Sequence, residues 1–118
     1  MLRIRCEEEL PVYERLGVVR SRAITLGKIA DVLAEGGELD EALRIRREEE
    51  LPVYERLGDV RERAVVLGKI GDVLAARGER DPALTMWREV LDVFERLGEP
   101  GLIATAHQRI ARLQAREG

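Results

Sequence analysis

Residues 2–42, LRIRCEEELPVYERLGVVRSRAITLGKIADVLAEGGELDEA, are written again at once as residues 43–83, with 31 of the 41 positions identical. A third, diverged copy opens at Leu84 with LTMWREVLDVFERLG and runs to the C-terminus. Repetition at a fixed period marks an array in which each unit buries its apolar face only by stacking on its neighbours. If the two helices of a repeat are called A and B, the chain enters the array midway. One domain over residues 1–118 is expected, with an orphan B helix over 1–17, a first full repeat over 18–58, a second over 59–98 and a C-terminal capping A helix over 99–118.

Every segment carries a helical pattern, and glycine marks the ends. Residues 3–16 are predicted as a first helix closed by Gly17, a residue free to take the left-handed conformation that terminates helices. Val19, Ala23, Leu26, Ala30 and Leu33 then form one apolar stripe of an amphipathic helix that stops at Gly36 and Gly37. Residues 39–57 make the next predicted helix, before Gly58. Asp59 followed by Glu62 has the spacing of an acidic capping box, and Val60, Ala64, Leu67, Gly71 and Leu74 repeat the stripe up to Gly78. Asp81 and Pro82 are predicted as the N-cap and first residue of a helix ending at Leu97; after Gly98, Glu99 and Pro100, a last helix runs to about Arg116. No alternating pattern long enough for a strand occurs. The expected fold is all-α, an αα-hairpin solenoid of about six antiparallel helices.

Composition narrows what such a stack can do. Charged residues make up 36% of the chain but nearly cancel, at net charge −3, with Arg and Glu interspersed as on solvated helix faces laced with ion pairs. Such a surface gives nucleic acid or an anionic membrane no basic patch to grip. No apolar N-terminal run suggests a signal peptide or membrane span, and the single Cys6 excludes an intramolecular disulfide, so a cytoplasmic protein is expected. Ser21, Cys6 and His107 are each the only residue of their kind. Cys6 lies on the first helix and His107 on the last, and helices packed about 8–10 Å apart hold them beyond the reach of a nucleophile–base pair or a shared metal. Gly27 with Lys28, and Gly68 with Lys69, lack the rest of a phosphate loop and sit in mid-helix. No enzyme activity, cofactor or metal is expected.

The run IADVLAEGGELDEA, echoed as IGDVLAARGERDPA, resembles the tetratricopeptide repeat: a small residue at Ala30 or Gly71, a large apolar one at Leu33 or Leu74, a turn glycine at Gly37 or Gly78, and alanine at Ala42 or Ala83. The familiar period is about 34 residues, so this longer repeat is more similar to the variety found in kinesin light chains and in the sensor arrays of bacterial signalling NTPases. The resemblance implies a right-handed superhelix and a protein-interaction scaffold or sensor module that holds a peptide or helix along a concave face made by the A helices. Carried over residue by residue, the binding candidates on that face are Lys28, Asp31, Lys69, Asp72, Gln108, Arg109, Arg112 and Arg116. Lys28, Lys69 and Arg109 resemble part of a carboxylate clamp for a peptide C-terminus, but that clamp also needs asparagine, which this chain lacks. Asp31 and Asp72 stand three residues after their lysines, where each can neutralise its lysine on the same helix face. An acidic or mixed-charge peptide nearest Arg112 and Arg116 is the expected ligand; an inner face that is only solvated is the competing expectation.

In the third copy Trp87, Val90 and Phe94 follow Ala83 at core spacing, whereas in the second Arg46 and Glu49 stand in the places of Trp87 and Val90. The turn RREEE is therefore expected to face solvent, with a charged network as the alternative. The copies with this polar turn also carry Pro11 or Pro52 and are one residue longer than the third, which lacks the proline. An interior proline removes a hydrogen bond and crowds the carbonyl four residues back, and an inserted residue is commonly absorbed as a π-type turn. Together they are predicted to form one kink that returns Val53, Tyr54 and Leu57 to the core.

The two ends differ as well. Gln114 answers Leu33 and Leu74, and His107 answers Leu26 and Leu67, so the C-terminal surface has been made polar as a terminal repeat requires. Residues 2–17 match residues 43–58 at every position except Cys6, and their apolar residues Leu2, Ile4, Leu10, Val12 and Tyr13 are expected to be partly uncovered. A structural unit that self-assembles through this open end is the second functional expectation. It takes the form of a two-fold homodimer through residues 2–17 with the Cys6 thiols near each other. Loss of a preceding A helix by truncation is the competing explanation.

Overall fold

The computed structural model describes the backbone of residues 2–115 and the side chains of residues 15–115. These residues form α1 (Leu2–Glu35), α2 (Leu39–Arg44), a π-helical segment (Ile45–Glu50), α3 (Leu51–Leu57), α4 (Val60–Ala76), α5 (Arg80–Leu97) and α6 (Pro100–Ala115). No strand occurs among the described residues, and no helix among them is long and apolar enough to cross a membrane. Because α2, the π segment and α3 are continuous, and α1 joins two predicted helices, the described residues make five rods rather than six.

The rods break where glycine turns left-handed. Gly37, Gly58, Gly78 and Gly98 have φ of 85°, 67°, 86° and 68°. In each case the next N–H bonds back to the carbonyl five residues earlier: Glu38 to Leu33 (2.8 Å), Asp59 to Tyr54 (3.0 Å), Glu79 to Leu74 (2.9 Å) and Glu99 to Phe94 (3.3 Å). These bonds satisfy carbonyls that a helix end otherwise leaves orphaned.

The predicted break at Gly17 does not form. α1 runs through it for 34 residues, and Gly17 keeps a negative φ. What differs is the residue that follows. Asp59 accepts the Glu62 N–H at 3.0 Å and so starts α4, and Glu99 is followed by Pro100, whose ring presets a helical φ. Val18 supplies neither device, so breaking the helix there leaves its orphan N–H groups uncapped and the chain simply continues. A smaller correction applies to α5. It begins at Arg80 with Glu79 at the N-cap, and Asp81 and Pro82 lie inside the first turn, where an N–H has no intrahelical partner to lose.

α4 sits at the centre and uses two faces. Ala64, Gly68 and Gly71 turn toward α5, while Val66, Ile70 and Val73, at 2%, 0% and 4% exposure, meet the α2–α3 rod. Each end rod uses only one such face. α6 packs Leu102, Ile103, Ala106, Ile110 and Leu113 toward the core and leaves Ala104, His107, Gln108, Ala111 and Gln114 exposed, the polar end surface expected at the C-terminus. α1 buries Ala23, Gly27 and Ala30 and leaves Thr25, Ile29 and Val32 exposed.

The predicted kink is present as the π segment. The Leu51 N–H donates to the Arg46 carbonyl, five residues back, and Pro52 opens α3. A wider turn gives room to the carbonyl that a proline ring crowds in a regular α-helix. Tyr54 returns to the core, with Val53 and Leu57 packed against it.

Candidate functional site

Equivalent glycines on α4 and α1 open slots that different groups fill. On α4, a Cβ added to Gly68 would lie 2.9 Å from the Trp87 ring, and one added to Gly71 would lie 2.8 Å from the indole Nε1. Only glycine lets the two backbones approach this closely around an indole. On α1, Gly27 stands where α4 has Gly68, and its slot receives the Glu50 carboxylate instead.

Glu50 and Arg46 are 4% and 2% exposed, so the turn RREEE does not simply face solvent: the charged network is what forms. Arg46 donates through Nη1 to Glu50 at 2.9 Å and through Nη2 to Asp31, and Lys69 Nζ lies 3.6 Å from the other Asp31 oxygen. A buried charge persists only with such partners. Burial pushes the Glu50 carboxyl above its ordinary range, against the opposing pull of Arg46. The expectation that Glu49 takes the place of Val90 is corrected by one residue. The π turn absorbs the extra position, so Glu50 turns inward while Glu49 pairs with Arg44 at 3.1 Å toward solvent.

Between α4 and α6, Arg109 Nε donates to Asp72 at 3.0 Å, and its guanidinium carbon lies 5.7 Å from the Trp87 ring centroid. Asp72, Ala75, Ala76, Trp87, Arg109 and Arg112, with Leu113, line a cleft of about 390 Å³. A smaller lobe of about 170 Å³ lies beside it, walled by Val65, Gly68, Phe94 and Leu102 and sharing Trp87 and Arg109. The Trp87 indole nitrogen is buried and has no hydrogen-bond partner among the described residues. A buried donor without an acceptor is costly in a folded protein. The cleft therefore offers guanidinium donors at its rim, the Trp87 side chain in its lining and an apolar lobe alongside.

Of the candidates read from sequence, the structure brings Asp72, Arg109 and Arg112 around this cleft, with Lys69 at the adjoining lobe. Lys28 is exposed. Asp31 and Asp72 pair forward, with Lys69 and Arg109 of the next A helix, rather than with the lysines of their own helices. Gln108 belongs to the exposed end surface of α6, because it occupies the position at which α4 has the slot glycine Gly68. Arg116 and the side chains of Leu2, Ile4, Cys6, Leu10, Val12 and Tyr13 lie outside the described residues. Trp87 was legible only as core. The signal for its place in the cleft lining is the pair of glycines, Gly68 and Gly71, one turn apart on the facing helix.

Among the described residues, no three of His, Cys, Asp and Glu gather as a metal site requires. Compared with known proteins, the chain matches no protein-family model and no curated protein.

Proposed function

We propose that the chain is a protein-interaction module, a tetratricopeptide-like right-handed stack of hairpins whose inner groove holds an extended acidic or mixed-charge peptide across Trp87. The observation that carries this reading is the cleft lined by Trp87 and rimmed by Arg109 and Arg112, with an apolar lobe beside it. An acidic side chain of the peptide meets Arg112, and an apolar side chain enters the lobe beside Phe94. Asp72 already neutralises Arg109, which holds that guanidinium over the ring and leaves Arg112 as the main electrostatic contact. The chain acts by holding a partner, and its helices supply the positioned groups.

Because Trp87 is the only tryptophan, its emission reports on the groove directly. Titrating an array of acidic and mixed-charge peptides should quench or shift that emission saturably. The joint substitution Arg109→Ala with Arg112→Ala should weaken binding by about tenfold or more, equivalent to about 1.4 kcal/mol. Binding that proceeds unchanged in that variant, or an array with no binder, overturns the proposal.

A further inference from the structure

The internal duplication says what belongs on α1. On α4 the face of Val66, Ile70 and Val73 is covered by the rod of residues 39–57. The same positions on α1 are Thr25, Ile29 and Val32, and here Ile29 and Val32 are 45% and 67% exposed, with Val18 at 68% in line with them. The segment that covers this face, by the pattern of the second copy, is residues 2–16, identical to residues 43–57 except at Cys6. Yet α1 passes unbroken through Gly17, so its first half continues the axis of its second half and cannot lie against it.

We propose that residues 2–16 of one copy pack on the Thr25, Ile29 and Val32 face of a second copy, and reciprocally. The two α1 helices then pair antiparallel about a two-fold axis near Gly17, as a dimer with exchanged N-terminal segments. Complementarity is built in, because each half of α1 is a near copy of one side of an interface the chain already makes between residues 43–57 and α4. The charges agree. Arg63 of α4 lies 3.5 Å from Glu55 of α3; the equivalent residues are Arg22 and Glu14, which meet between copies in the exchanged pair. Exchange of an element between identical chains is a low-cost route to a dimer, and here the hinge lacks the cap that would turn the segment back on its own chain. The contact closes on itself, and the polar end surface of α6 gives it nothing to extend from. The groove over Trp87 lies at the other end of the molecule, so this inference stands or falls separately from the peptide-binding reading.

The test is light scattering on the full chain during size exclusion, across roughly a hundredfold range of concentration because dimerisation follows mass action. A dimer is expected. Ile29→Glu with Val32→Glu should weaken it by about a hundredfold or more, through loss of the covered apolar face, while circular dichroism keeps its helical signal. Val18→Asp rebuilds the Gly-Asp junction found at Gly58 and Asp59 and should give a folded monomer. A monomer throughout, a dimer that survives the paired glutamates, or a dimer unchanged by Val18→Asp each overturns the proposal.

Discussion

In the hairpin of α4 and α5, an indole ring fills the slot left by Gly68 and Gly71; in the hairpin of α1 and the α2–α3 rod, the slot left by Gly27 receives the carboxylate of Glu50, held by Arg46. The A helices of the two hairpins are close copies, so the difference lies in the B helices. Trp87 serves its slot from a regular α-helix. Arg46 in the same place needs Glu50 beside it, and the extra residue that brings Glu50 inward is accommodated only by the π turn. One backbone groove thus accepts either an apolar filler or a charged pair, provided that the helix facing it changes its winding to suit.

Removing each filler is the strongest way to break the comparison. Trp87→Ala should cost about 3–5 kcal/mol, read from urea unfolding, since it empties a slot that two glycines cannot refill. Glu50→Ala should cost about 3 kcal/mol, because Arg46 stays buried with only Asp31 to pair with. If the charged filler is only a substitute for packing, Arg46→Met combined with Glu50→Leu should come within about 1 kcal/mol of the parent or exceed it. A large loss in that double variant would mean that the pair does more than fill space.

The same double variant sharpens the electrostatic side. The folded-state pKa of Glu50 lies above the ordinary value of 4.5, so the folded protein holds that proton more tightly than the unfolded chain. The associated stabilisation is complete below the ordinary value and is lost as pH rises through the folded one. Unfolding midpoints of the parent should therefore fall relative to those of the double variant as pH is raised from about 4 toward neutrality. Asp59, whose carboxyl is lowered by its bond from Arg20, contributes the opposite slope to both proteins and cancels in the difference.

Smaller effects follow from the slots. Gly68→Ala should cost about 1–2 kcal/mol, because the methyl runs into a ring that cannot move without disturbing the core. Gly27→Ala should cost about 1 kcal/mol, since its methyl pushes the buried Glu50 carboxylate against its pairing with Arg46 and the gain in helix propensity offsets only part of that. Pro52→Ala should change stability by less than about 1 kcal/mol and leave the π segment in place, because the extra residue remains. Deleting Glu49 in that background should wind residues 44–57 as a regular helix like α5, visible in the chemical shifts of that stretch.

Much of the helical architecture was legible because glycine and caps act locally. Gly37, Gly58, Gly78 and Gly98 mark the breaks whichever way the rods pack, and the joint gain of Pro52 and one residue marks the kink in the second copy, although the same pair at Pro11 winds as regular α-helix. Gly17 misled because the residue that starts the next helix matters as much as the one that ends the last. The inner ladder of Asp31 with Lys69 and Asp72 with Arg109 was hidden for another reason. Sequence spacing offers the intrahelical lysine first, and only packing brings the next A helix closer. The register of Glu50 was also out of reach, since alignment from one side of an insertion gives Glu49 and alignment from the other gives Glu50.

The lengthened helix also records ancestry. Residues 2–17 and 43–58 share both the proline and the additional residue, while residues 84–98 have neither. The lengthened helix was therefore already established in the unit from which the first two copies descend, and the most recent duplication transmitted it whole. In the first copy the same proline and additional residue wind as regular α-helix within α1, so they become a π turn only in the copy that packs between α1 and α4.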